Sequence, residues 1–422
     1  MRRTPTGLDG RAAARHARER SGRLAMFHHV RIGSLILAFL FLASFLRPSF
    51  AGEVGIVEKK VFELPSYTTV GGKTIAPVRV GWESYGTLNA AKDNAILITH
   101  FFSGTSHAAG KYAESDPAPG YWNAIIGPGK AIDTDRFFVL SSDTLVNLNV
   151  HDPKVVTTGP ATMNPATGKP WGTDFPIVTI RDFVNVQKAL VESLGIRELH
   201  AVIGASMGAL QALEWASSYP EMVGRVVPVI GAGEVDPFLI GWLDAWATPI
   251  RLDPNWNGGD YYGRTPPTAG LAAALKLVTL HARWYEWADK AFGRAWAVEG
   301  KDPAAVLTNR FKIEATLDAV GRTRAELADA NHFLYLVKAN QLFVAGGGGS
   351  AEGLRRIEAP VLLVPSKDDL IFLPARVERT AELVRADGTP VEIAWLDGVD
   401  GHLDGITAIG QVADRLKAFL ER

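Results

Sequence analysis

A serine set in Gly204-Ala205-Ser206-Met207-Gly208 is the residue best placed in this chain to do chemistry. The apolar run Leu199–Ile203 leads into the pentapeptide, and the helix-like stretch Ala209–Ser218 follows it. A tight strand-to-helix turn of this kind pushes the serine hydroxyl into an open site, and glycines two positions to either side let the chain pack without Cβ clashes. Ser206 is therefore the candidate nucleophile. The same five-residue pattern also occurs in ordinary glycine-containing turns, so the case depends on finding its partners.

A serine hydroxyl attacks poorly at neutral pH. It needs a histidine base, and the imidazole needs a carboxylate that fixes its tautomer and stabilises its protonated form. Both are expected downstream, each on a loop after a late strand. Asp369 follows the apolar run Val361–Pro365, within Asp369-Leu370-Ile371-Phe372-Leu373-Pro374, and His402 follows Val391–Trp395. Asp368 is the rival acid, with the spacing to Pro374 favouring Asp369. The other histidines, including His100 and His107, have no comparable placement. An oxyanion needs two backbone donors, and two positions suit. Met207 N–H lies at the positive end of the following helix, and Phe102 N–H belongs to the loop His100–Gly104. No His-x-x-x-His or clustered Asp/His spacing surrounds these residues, so neither metal nor organic cofactor is expected.

The elements that must hold these residues are legible as alternation. Val78–Glu83, Ala95–His100, Phe137–Ser142, Leu199–Ile203, Val226–Ile230, Val361–Pro365 and Val391–Trp395 read as short strands, with amphipathic stretches such as Ile180–Leu194 between several of them. That order predicts an α/β fold: a mostly parallel sheet with helices on both faces and the site at the strand C-termini. The alternation breaks once. From about Asp236 to Glu358 no strand-like run appears, and the segment holds six of the eleven tryptophans. We read 52–235 and 359–422 as two parts of one core, and 236–358 as an inserted helical cap. Its tryptophans would wall a substrate pocket or a dimer interface, or simply pack cap on core. Gly346–Gly349 reads as a hinge or linker near the cap's end.

With 422 residues, 47% of them hydrophobic and 21% charged, the composition is that of a large globular enzyme. The first 51 residues carry a net +7 and leave −8 on the rest, an acidic body that gives nucleic acid nothing to bind. Without cysteine there is no disulfide, thiolate metal site or cysteine nucleophile. Arg31 precedes the apolar run Leu35–Leu46, and Ser49-Phe50-Ala51 supplies small residues where a signal peptidase inspects them. Residues 1–51 thus read as a leader and secretory signal, with Met26 as the expected start in place of Met1, and with a periplasmic or secreted mature protein. A permanent transmembrane anchor is the rival reading, disfavoured by the short apolar run.

Beyond the elbow, Asn94–His107, Gly127–Phe138, Asn164–Arg181, Gly204–Ala216, Asp253–Tyr262 and Asp329–Leu334 resemble the homoserine O-acetyltransferase family of α/β hydrolases, and the resemblance runs through most of residues 60–415. It implies an α/β-hydrolase core with a helical cap, a homodimer through that cap, and ping-pong acyl transfer through an acyl-serine. Ser206, Asp369 and His402 fall on the family's triad positions. Three departures concern the acceptor. The family carries Asp after the catalytic histidine, where it helps to hold the homoserine ammonium; here Leu403 follows His402, unless Asp404 substitutes. The family's Gly-Ser-Thr-Gly-Pro is replaced by Val156-Thr157-Thr158-Gly159-Pro160 after a quite different Val146–Pro153, and an acceptor-binding arginine aligns with Ala247.

A site that has lost charged anchors binds a zwitterion poorly, because desolvating unpartnered charges costs several kcal/mol. Export also separates the chain from cytosolic acetyl-CoA. Net hydrolysis of a small carboxylic ester is therefore the expected reaction, with a small-molecule acyl ester or acyl donor as partner and no stable membrane insertion after cleavage. O-acetylation of homoserine or another small alcohol is the alternative. A non-catalytic ligand-binding protein on the same fold is the reading from a different class.

Overall fold

The computed structural model describes residues 52–422, so the leader, the signal segment and the Met26 start all lie outside the described residues. Eight strands form the main sheet: Lys60–Leu64 (β1), Val78–Tyr85 (β2), Ala95–Thr99 (β3), Phe138–Ser142 (β4), Ala201–Ala205 (β5), Val226–Val229 (β6), Val361–Leu363 (β7) and Val391–Ile393 (β8). Their spatial order is β1-β2-β4-β3-β5-β6-β7-β8. The pairs β1–β2 and β2–β4 are antiparallel and all later pairs parallel. Every expected strand is present. The edge strand β1 was not anticipated: in Lys60-Val61-Phe62-Glu63-Leu64 exposure alternates and two positions are charged, so no apolar run announces it.

The central strands are uninterrupted apolar runs because both of their faces are covered. Along β3, Ala95 and Leu97 enter one core, while Ile96 and Ile98 enter the other. Phe183 and Leu190 of the helix Ile180–Ser193, Leu210 and Trp215 of the helix Met207–Ser218, and Val377 of the helix Pro374–Arg385 fill the first core. Leu416 and Phe419 of the helix Ala413–Leu420 fill the second. Helices therefore flank the sheet on both faces, which is the α/β-hydrolase arrangement.

Local signals mark where the sheet gives way to helices. Asp236 caps the helix Pro237–Leu252 by accepting from Phe238 and Leu239 N–H, and Pro237 occupies the first turn, where its missing N–H costs nothing. Five more helices follow, Thr268–His281, Tyr285–Ala291, Lys312–Ala325, Ala330–Gln341 and Ser350–Arg355, and the described residues in between contribute only isolated bridges. The glycine run is pinned at one end: Gly346 N–H donates to Glu214 Oε2 at 2.8 Å. Among the described residues no helix is long and apolar enough to cross a membrane.

Candidate active site

β5 ends at Ala205, and Ser206 sits at φ 58°, ψ −120° before the helix Met207–Ser218. A non-glycine residue in that region is strained, and its environment must hold it there. Part of the hold is the Ser206 N–H, which donates to Val229 O of β6 at 2.9 Å. The flanking glycines answer to close packing. A Cβ on Gly204 would lie 2.0 Å from Thr99 Oγ1, and one on Gly208 would lie 2.0 Å from Thr99 O, so strand, elbow and helix meet with no room for a side chain.

The loops after β7 and β8 bring the partners. His402 Nε2 lies 2.8 Å from Ser206 Oγ, and His402 Nδ1 lies 2.8 Å from Asp369 Oδ2. Asp369 Oδ1 accepts from Ile371 N–H at 2.7 Å and Phe372 N–H at 3.0 Å, which locks the carboxylate while its other oxygen faces the imidazole. All three side chains are buried. Asp368 makes no hydrogen bond or ion pair with His402; its N–H approaches Ser366 Oγ at 3.4 Å. One residue's step along this turn thus separates the two candidate acids.

Neither Met207 N–H nor Phe102 N–H donates to a described acceptor, although both residues are buried. Two open amides beside the serine are what an oxyanion requires. The loop that carries Phe102 is tied down from several sides. Gln211 Nε2 donates to His100 O at 3.2 Å, Asn147 Nδ2 to Gly104 O at 3.0 Å, Asn149 Nδ2 to Ser103 O at 3.0 Å, and Ser106 N–H to Asp143 Oδ1 at 2.8 Å. Below it the buried Glu83 meets Lys59 at 2.8 Å and His107 Nδ1 at 3.0 Å. Burial alone would raise the Glu83 carboxyl, but the bond to His107 and the Lys59 charge hold it down at about 2. The segment around Asn147, read from sequence only as a departure from a family pattern, therefore supports this loop.

Histidines without an evident role turn out to be structural. His100 places Nδ1 2.8 Å from Phe101 O and Nε2 3.3 Å from Asn147 Nδ2, while His332 places Nδ1 2.8 Å from Asn147 O and accepts from Ala161 N–H at 3.2 Å. Each ring donates once and accepts once, so each is neutral, and burial pushes both below the usual imidazole value. His281, stacked on Trp242 at 4.2 Å, is pushed down to about 4 by burial and then by the charge of His402. A histidine held neutral in the fold but free to protonate when unfolded stabilises fully above its unfolded value of about 6.5, and that stability drains away as pH falls below it. For His281 alone the loss from about pH 7 to about pH 5 is about 2 kcal/mol. Thermal unfolding should therefore show a lower Tm at the acid end, and equal Tm values would contradict the neutral assignments.

A cavity of about 250 Å³ opens onto Ser206 and His402. Its walls come from the His100–Gly104 loop (Phe101, Phe102), from the helical segment (Leu239, Leu243, Trp246, Val278) and from Ile371, Phe372 and Leu403. No carboxylate lines it, and Arg324 is its one permanently charged side chain. Asp404 does not take the place of a charge beside His402: its Oδ2 accepts from Ser366 Oγ at 2.9 Å and its Oδ1 from Asp400 N–H at 3.1 Å, and it is absent from the lining. Ala247 is buried and also off the cavity. Of the six tryptophans in the helical segment only Trp246 faces it; Trp256 instead donates to Asn331 Oδ1 at 3.0 Å and Trp296 is exposed.

Residues 157–390 match the family model for the alpha/beta hydrolase fold. The chain is thus an α/β-hydrolase-fold protein. Homoserine O-acetyltransferase of Symbiobacterium thermophilum is 40% identical over 352 residues, which span 83% of this chain and 90% of its own length. The solved homoserine O-acetyltransferase of Bacillus anthracis superposes with a TM-score of 0.83 at 37% identity, covering 87% of this chain and 98% of that one. Esterase E22 also superposes with a TM-score of 0.83, at 52% identity over 86% of this chain and all of that one. The chain belongs to the homoserine O-acetyltransferase family, and is an acyl-transfer enzyme of the α/β-hydrolase fold.

Proposed function

We propose that this chain is a serine esterase that cleaves small carboxylic esters through an acyl-Ser206 intermediate. His402 takes the Ser206 proton as Oγ attacks the ester carbonyl, and Asp369 stabilises the imidazolium. Met207 and Phe102 N–H receive the oxyanion. The tetrahedral intermediate collapses as His402 protonates the leaving alcohol. Water, deprotonated by His402, then attacks the acyl group and regenerates Ser206.

The observation that favours water over an amino-acid acceptor is the charge of the cavity wall. With Leu403 beside His402 and Asp404 engaged with Ser366, no carboxylate is available for an ammonium group. Burying that ammonium unpaired would cost several kcal/mol. The resemblance to esterase E22 agrees with this reading, whereas the curated relatives' name favours acetyl transfer to homoserine. Export, as expected from the sequence of residues 1–51, would further part the enzyme from acetyl-CoA.

Three incubations distinguish the two reactions: a short-chain acyl ester alone, the same ester with homoserine, and acetyl-CoA with homoserine. Hydrolysis predicts carboxylate release from the ester at a rate that homoserine leaves unchanged. CoA release that requires homoserine would overturn it in favour of the transferase.

A further inference from the structure

Arg324 is the unexplained charge of the cavity. It stands near the end of the helix Lys312–Ala325, half-buried, on the same wall that Val278 and Thr279 contribute to. One guanidinium nitrogen, Nη1, donates to Thr279 Oγ1 at 2.8 Å and weakly to Leu275 O at 3.5 Å. Nε and Nη2 have no described acceptor. Both carboxylates on its own helix are engaged elsewhere: Glu314 accepts from Phe311 N–H at 2.7 Å, and Asp318 receives Lys276 at 2.8 Å and Arg310 at 2.7 Å. Two other partly buried arginines do have carboxylate partners, Arg283 with Asp400 and Arg181 with Glu214. Burial, with no compensating charge, pushes the Arg324 guanidinium down to about 10. It remains cationic at neutral pH, and an unpaired cation in an apolar wall is a cost to the fold.

That cost is offset when a ligand supplies the anion. We infer that Arg324 forms an anion subsite of the acyl-transfer cavity, and that the substrate carries a carboxylate remote from the scissile ester. This rests on the hydrolytic reading above and extends it to a substrate class. The free Nε and Nη2 donors suit the two oxygens of a carboxylate, and the surrounding Val278, Trp246 and Leu243 keep the local dielectric low, which strengthens the pair. A zwitterion is excluded by the same wall, which offers a cation for its carboxylate and nothing for its ammonium. Esters of a dicarboxylic or hydroxycarboxylic acid, with one carboxyl left free, fit the charge pattern.

Two matched pairs of esters test this and separate the two possible locations of the carboxylate. Mono-4-nitrophenyl glutarate carries it on the acyl side and is compared with its methyl-capped form; acetoxyacetate carries it on the alcohol side and is compared with its methyl ester. In at least one pair the charged member should have the higher kcat/KM, by about 10-fold or more, the size of a charge-assisted hydrogen bond. Arg324→Gln should collapse that charged-to-capped ratio, and Arg324→Lys should restore part of it. Glutarate binding measured by calorimetry tests the subsite independently of turnover: the wild-type protein should bind glutarate about 10-fold or more tightly than dimethyl glutarate. If capped esters are cleaved but neither ratio nor binding favours the carboxylate, the anion subsite is wrong and the esterase reading stands. If no ester is cleaved while glutarate binds through Arg324, the subsite stands and the hydrolytic reading falls.

Discussion

Replacing Ser206 by Ala should lower turnover of a short-chain ester by about 10⁴-fold or more, with the residual rate coming from binding and the open amides alone. The magnitude follows from what is removed. Ser206 Oγ is the atom that His402 Nε2 addresses at 2.8 Å, and it lines the cavity beside the free Phe102 N–H. Alanine leaves the elbow backbone, the flanking glycines and the cavity walls in place, so the loss belongs to the hydroxyl. A serine-directed phosphonate should label the wild-type protein and fail to label S206A. Substantial turnover by S206A would reject the acyl-serine route, and an unlabelled wild-type protein would favour the idle binding protein.

The second large effect separates the neighbouring acids. Asp369→Asn should cost about 10⁴-fold in kcat, while Asp368→Asn should change it only severalfold. Asp369 Oδ1 accepts from two backbone amides, Ile371 and Phe372, so an asparagine here keeps its oxygen on those donors. Its NH₂ then faces His402 Nδ1 and donates to it. The imidazole must carry its proton on Nε2, and the lone pair that should receive the Ser206 proton is gone. Asp368 is hydrogen-bonded to neither ring nor serine, so its amide has no such consequence. Comparable losses in both variants would mean that the loop as a whole, and not one carboxylate, supports His402.

How much of this could be read from the chain depends on how local each feature is. The strands beneath the site were legible because β3, β5, β6 and β7 are buried on both faces, so each carries an uninterrupted apolar run. β1 was not, because it lies at the sheet edge and alternates with Lys60 and Glu63. Ser206, Asp369 and His402 were legible because each sits at a fixed place relative to a strand end. Between Asp368 and Asp369 the spacing to Pro374 favours Asp369, and the turn brings Asp369 Oδ2 to His402 Nδ1.

The polar frame under the His100–Gly104 loop was out of reach for a different reason. Lys59, Glu83, His107 and Asp143 are scattered along the chain and meet only through the sheet order, and none announces itself by spacing. Arg324 was equally silent. Its meaning comes from a cavity it shares with Ser206, and from Asp318 already being occupied. The tryptophans of the helical segment illustrate the converse, a visible signal with two readings. Packing against the core claims Trp242 and Trp256, Trp296 is exposed, and Trp246 alone reaches the cavity.

A covalent intermediate at Ser206 is the central step, and a single rapid-quench experiment addresses it. The wild-type protein is mixed with excess short-chain acyl ester, quenched in acid within the first turnovers, digested, and mapped by mass spectrometry. One acyl group is expected on the peptide that contains Gly204-Ala205-Ser206-Met207-Gly208, located on Ser206, formed before free carboxylate accumulates and lost as carboxylate appears. Carboxylate release at full rate with Ser206 unmodified throughout, or with the acyl group on another residue, would contradict it.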